Sequence, residues 1–303
     1  MARSLTRFVL CAAVVLVAGI TQAQVSMKID LRKLTNDDLR ALRANAEHGN
    51  ARSMTVLGIA YAEGFSVTAD PKQAVRWLRR AAKTDDVAQE FLGSMLRNGT
   101  GVAVDMNQAR ALFARAASQG NKRAQFNYAS LCFNGEGGPQ DIDAAAKYFE
   151  IAARQGDAEA QHMIGRMYQY GRGVVQDYEQ ATKWYEAAAK QKLVTSMFAL
   201  GVAYLEGDLG TKDVELGKKY LERAASLGDW ASAARIGKMY LQGDVVKRNQ
   251  AEAYKWFAIA RELSGVETNP SAASLEGTLK PRELASAKQE ASEWKARNFG
   301  GVK

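Results

Sequence analysis

Cysteine and histidine are almost absent from this chain. The cysteines are Cys11 and Cys132, and the histidines are His48 and His162. Cys11 sits inside an N-terminal apolar run without the Leu-x-small-Cys context of a lipid-modified leader, so it is not read as an anchor. With that run removed, Cys132 stands alone, and one cysteine cannot close an internal disulfide. Packing must therefore hold the protein together, even in an oxidising compartment. The two histidines lie far apart in sequence, so neither a metal site nor a Ser–His pair is expected. There is no P-loop, no His-Glu-x-x-His, no nucleophile elbow and no Cys-x-x-Cys. The expectation is a chain with no cofactor, no metal and no enzymatic activity.

Long hydrophobic runs are missing too. The longest, Phe8 to Ile20, has 13 residues, where a membrane-spanning helix needs about 20. Arg3 and Arg7 precede it, and Thr21-Gln22-Ala23 follows with a small-x-small pattern. These features predict a signal peptide over residues 1–23, cleaved after Ala23, and a periplasmic or secreted protein with no integral membrane segment. The whole chain has 41 basic and 33 acidic residues, a net charge of +8, and loss of Arg3 and Arg7 leaves +6. That mild excess fits an acidic partner and does not argue for nucleic acid.

What the chain has in abundance is self-similarity. Gly58, Gly93, Ala129, Gly165, Gly201 and Gly237 recur at steps of 35 or 36 residues, alanine once replacing glycine. Three residues beyond each stand Tyr61, Leu96, Cys132, Tyr168, Tyr204 and Tyr240, and three further on a glycine every time, from Gly64 to Gly243. A loop then leads to Asp70, Asp105, Asp141, Asp177, Asp213 and Asn249. A small residue and a bulky pair follow, as in Ala181 with Trp184-Tyr185. Spacings of three and four place these residues on single helix faces. Mid-helix glycine costs roughly 1 kcal/mol against alanine, so its recurrence predicts close helix contact. The second glycine suits a left-handed helix end, and the Asp or Asn suits an N-cap. A lone unit cannot bury its bulky pair, whereas stacked units can. Cys132, at a tyrosine position of the packed face, reads as an inert buried thiol.

The pattern resembles the Sel-one-like repeat family, relatives of the tetratricopeptide repeat. Gln161 to Ala189 follows its Leu-Gly-x-x-Tyr-x-x-Gly, loop-Asp, Ala-x-x-Trp-Tyr-x-x-Ala-Ala consensus closely, and Asp157, Ala158 and Ala160 match the start of the unit. The resemblance implies an all-α fold, a right-handed α-α superhelix (solenoid) of about six helix-pair repeats with a C-terminal capping helix. The organisation expected is a lead-in segment over 24–45, repeats over 46–263, a loop over 264–281, rich in Ser, Gly, Asn and Pro, and a capping helix and tail over 282–303. Lys192 departs from the pattern, standing where other units have glycine.

In related solenoids the first helices line a concave groove. Here their variable stripe is predicted to be the partner-binding wall: Arg52, Phe91, Asn98, Arg123, Asn127, Asn134, Met163, Arg166, Tyr170, Arg235, Lys238 and Gln242. Amides, aromatics and arginines in that mixture suit an extended peptide or a partner's loop. The expected function is thus a protein-binding scaffold or adaptor of the cell envelope, regulatory or in assembly. Exopolysaccharide control, flagellar motor parts and host interaction are settings the resemblance implies. The alternative is a cell-wall or β-lactam-processing hydrolase. Its only sequence support is Ser292-Glu293-Trp294-Lys295, a Ser-x-x-Lys with no Lys-Thr-Gly elsewhere, and relatives tied to β-lactams are cysteine-rich, unlike this chain.

Overall fold

A computed structural model describes residues 14–17, 27–266 and 270–300. Of the expected export signal only 14–17 are described, and the cleavage position after Ala23 lies outside the described residues. Residues Val14–Val17 (β1) and Met27–Asp30 (β2) form a two-stranded antiparallel ladder, which the sequence reading did not anticipate. Among the described residues, all other regular structure is helical.

The chain divides into two compact units, residues 1–155 and 156–303. The first holds α1 (Asn36–Glu47) and three helix pairs: α2 (Ala51–Glu63) with α3 (Pro71–Ala81), α4 (Asp86–Asn98) with α5 (Met106–Ser118), and α6 (Lys122–Asn134) with α7 (Ile142–Arg154). The second holds α8 (Ala158–Tyr170) with α9 (Tyr178–Lys190), α10 (Val194–Glu206) with α11 (Val214–Ser226), and α12 (Trp230–Gln242) with α13 (Gln250–Ser264). Two further helices, α14 (Pro270–Glu276) and α15 (Pro281–Phe299), follow. Within each unit the two helices of a pair pack most extensively on each other, and each second helix packs on the next first helix.

The helix ends are set by the residues the repeat predicts. Asp70, Asp105, Asp141, Asp177, Asp213 and Asn249 all cap the second helices, each carboxylate or amide oxygen accepting from backbone N–H groups in the first turn. The six glycines from Gly64 to Gly243 all end first helices in the left-handed region. A second row of caps, Asn50, Asp85, Asn121, Asp157 and Asp229, starts five of the six first helices. The exception is α10, where Leu193 offers no side-chain acceptor and Lys192 before it is held at φ +65°.

The mid-helix glycines are contact points. A Cβ on Gly201 would lie 2.6 Å from Leu221 Cγ, and one on Gly93 2.8 Å from Phe113 Cε1. Each glycine thus seats the bulky residue of its partner helix, and Leu78, Phe113, Tyr185, Leu221 and Phe257 are buried. Glutamines stitch the repeat as well. Gln119, Gln155 and Gln191, at the C-caps of α5, α7 and α9, donate to Gln89, Gln125 and Gln161 on their own first helices at 2.8–3.0 Å. Gln89 and Gln125 in turn donate to the carbonyls of Ala82 and Ala117, in the preceding second-helix ends. Carbonyls left open by helix termination are thereby satisfied without water.

The segment over 264–281, expected as a loop, carries α14 instead. Pro270 supplies a preset φ at its start, and Ala272 and Leu275 are buried on the core of the second unit, with which the short helix packs against α13. Helix α15 lies on α13, burying Ala287 and Ala291 and setting Trp294 edge-on to Trp256 at 5.7 Å.

Candidate functional site: a trough over the first helices of the second unit

The variable stripe has a different fate in each unit. In the first, much of it is tied into the protein. Glu90 is 2% exposed on α4, and burial pushes its carboxyl above the ordinary range. Arg123 lies 3.6 Å from it and also stacks over the Phe91 ring. Ser94 donates to Glu90, and Asn127, itself buried, accepts from Arg97 and points its amide at Glu90. Asn127 was expected on an open wall, but the desolvated Glu90 draws it inward as a partner. Arg52 pairs with Asp85 at 3.7 Å. Asn98 and Asn134 stay exposed, the latter donating to Glu136.

In the second unit the stripe opens into a trough. A cavity of about 430 Å³ has Arg166 and Tyr170 of α8 on one side, Thr195, Phe198, Ala199 and Val202 of α10 as its floor, and Ala231 of α12 beyond. An adjoining cavity of about 500 Å³ shares Phe198 and Ala231 and adds Trp230, Arg235, Lys238, Leu241, Gln242 and Phe257. Tyr170 is 60% and Trp230 53% exposed, unusual for large aromatics not engaged elsewhere. Met163 is half-buried on α8. Arg235 is held by Glu206 at 2.8 Å. Phe198 and Val202 were not among the predicted residues. Val202 had a signal, an apolar residue at the stripe position that holds Ser94, Ser130, Arg166 and Lys238 in four other repeats, whereas Phe198 lies off the stripe and had none.

The upper wall of the first cavity holds a polar chain. Tyr185 donates to Gln169 Oε1 at 2.8 Å, and burial raises its phenol strongly. His162 Nδ1 stands 2.9 Å from Ser196 Oγ. Burial, helped by nearby Arg166, lowers His162 to about 4, so its imidazole is neutral at physiological pH.

A sequence profile of the Sel1 repeat matches six consecutive segments: residues 51–86, 86–121, 122–157, 158–193, 194–229 and 230–265. The chain belongs to the Sel1 repeat family. Among solved structures it is similar to a Sel1 repeat protein from Oxalobacter formigenes, with 30% identity over 90% of this chain and 80% of that one and a TM-score of 0.64. It is also similar to c5321 of uropathogenic Escherichia coli, described as a protective antigen displaying an SLR fold. There the identity is 26% over 87% of this chain, the TM-score is 0.54, and the match spans 64% of that protein's length. No functionally curated protein matches. Sel1 repeats mediate protein–protein interaction, and their helix pairs, as each unit shows, make an α-solenoid.

For a Sel1 repeat chain the His162–Ser196 contact is a surprise, since no Ser–His pair was expected. It bridges α8 and α10, two first helices brought together by stacking. Ser196 is fully buried, so its hydroxyl cannot meet a substrate, and the pair is a packing contact. The Ser292-x-x-Lys295 motif lies on α15, where Lys295 Nζ is held by Glu262 at 2.6 Å. Among the described residues no helix is long and apolar enough to cross a membrane, and no cluster of three or more His, Cys, Asp or Glu could hold a metal ion. Cys132 is buried, with Arg110 donating to its sulfur at 3.4 Å.

Proposed function

We propose that this protein is a scaffold of the cell envelope, and that the trough over α8, α10 and α12 holds a peptide or loop of its protein partner. The observation that carries the reading is the pair of adjoining cavities on the first-helix stripe, with Tyr170, Trp230 and Phe198 presenting apolar surface beside Arg166 and Lys238. Stable monomeric surfaces rarely leave such aromatics uncovered without a use for them, and aromatic and cationic side chains dominate the energetics of protein interfaces. Of the predicted wall, Arg166, Tyr170, Arg235, Lys238 and Gln242 fit this role. The exposed Asn98 and Asn134 of the first unit are left as further polar contacts. The envelope setting rests on the basic, apolar and small-x-small order of the first 23 residues.

The test is site-specific photo-crosslinking in envelope extract. A photoreactive residue at Gln242 should trap a defined partner, and the same residue at Val175, 88% exposed on a repeat loop, should not. Equal trapping from both positions, or trapping that survives Arg166→Glu with Lys238→Glu, counts against the trough.

A further inference from the structure

The charges of the trough point to a more specific ligand. We infer that the partner segment is an extended acidic peptide with one bulky apolar anchor: the anchor enters the cavity between α10 and α12, a carboxylate beside it meets Lys238, and a second carboxylate further along the peptide meets Arg166. This rests on the proposed binding role of the trough and deepens it.

Cation placement carries the argument. The cavity that Lys238 lines contains Trp230, Leu241, Phe257 and the shared Phe198, and no carboxylate lines it. Arg235, the other cation there, already has Glu206. No acidic group of the protein is within ion-pair distance of Lys238 or Arg166 among the described residues. Lys238 is exposed on the rim of this apolar cavity, so its ammonium is open to an incoming carboxylate, and the apolar wall beside it favours the attraction over bulk water. Arg166 faces a weaker version of the same situation. Its cavity also contains Asp208 and Asp229, although Asp229 is occupied by the Ser232 backbone N–H and hydroxyl. Lys238 is therefore the dominant cation and Arg166 the auxiliary one.

Geometry sets the spacing. Packed neighbouring helices stand about 10 Å apart, so two steps from α8 to α12 span roughly 20 Å. Extended chain advances about 3.3 Å per residue, which separates the two carboxylates by roughly six residues.

The probe is a fluorescein-labelled synthetic peptide carrying Asp, a four-residue Gly/Ser spacer, then Trp-Asp-Glu. Two controls accompany it, one with Asn and Gln for the acids and one with Ser for Trp. Anisotropy titration of the full chain at about 50 mM NaCl, where charge attraction is little screened, should show the acidic probe binding at least about tenfold tighter than either control. Lys238→Gln should weaken it more than Arg166→Gln does, and Lys238→Glu should favour a probe with Lys in place of the acids. If the Asn/Gln control binds as tightly as the acidic probe, the charge inference fails while the trough stands as a peptide site. If no probe binds, and sedimentation shows instead a concentration-dependent dimer lost in Trp230→Ser, the occupant is a second copy and the inference is overturned. Absence of both binding and dimer overturns it equally, and leaves the photo-crosslinking at Gln242 to judge the scaffold role separately.

Discussion

Gly201 shows how one atom sets a repeat. Leu221 occupies the space a Cβ would need, and the carbonyl of Gly217 closes it from the other side at 3.1 Å. Gly201→Ala gains about 1 kcal/mol of helix propensity yet forces that contact apart. Overpacking typically costs 1–3 kcal/mol. We expect a net loss of about 1 kcal/mol in urea unfolding of the full chain. The native Ala129, at the equivalent place in the third repeat, is fully buried, so that repeat accommodates the methyl group.

His162 is the residue through which pH should be felt. Its folded-state value of about 4 lies below the ordinary 6.5, because burial disfavours the charged ring. The unfolded chain therefore binds a proton that the folded chain refuses. Stability is intact above pH 6.5 and falls as pH drops from 6.5 towards 4, by up to a few kcal/mol. His162→Gln, which can still bond Ser196, should flatten that acid limb in thermal melts taken between pH 7 and 4. An unchanged limb would assign the acid sensitivity to other groups.

At the scale of the element, the weak start of α10 stands out. Three other second-to-first-helix junctions use glycine at large positive φ, Gly120 at +92°, Gly156 at +81° and Gly228 at +96°, each followed by an Asn or Asp cap. Here Lys192, which carries a Cβ, takes the left-handed conformation, and Leu193 offers the first N–H groups no side-chain acceptor. Lys192→Gly should relieve roughly 1 kcal/mol of backbone strain, and Leu193→Asp should add about 1 kcal/mol of capping. The double variant is expected to raise the urea midpoint, with the protection of α10 amides in hydrogen exchange rising most.

The same elements show what the sequence made legible. The N-caps of the second helices and the left-handed glycine ends, each present six times, and the glycine–bulky contacts, present five times, could all be read because each recurs with one physical purpose. Lys192 was visible as a departure, though not its strain. Besides the β1–β2 ladder, three things were hidden. Helix α14 was masked by the Ser, Gly and Pro around it, because its reason to exist is burial of Ala272 and Leu275 on the repeat core rather than local propensity. The His162–Ser196 contact joins residues 34 apart and is created only by stacking. The withdrawal of Asn127 depends on Glu90, a buried acid 37 residues away whose need for partners is invisible in one dimension. Part of the trough's floor could have been found, since Val202 is apolar where Ser94, Ser130, Arg166 and Lys238 stand in other repeats.

For the whole molecule, two units of stacked helix pairs give long helical surfaces, and function is decided by which stripe each leaves open. The first unit spends its stripe on internal pairs around Glu90. The second keeps Tyr170, Trp230 and Lys238 outward, over an apolar floor. A solenoid fold by itself does not name a function, so the proposed binding role depends on that contrast. It is tested most directly by hydrogen exchange on the full chain with and without its captured partner. Added protection over 158–170, 194–206 and 230–242 is the predicted result. Protection confined to α9, α11 and α13, with the first helices of the second unit unchanged, would contradict it.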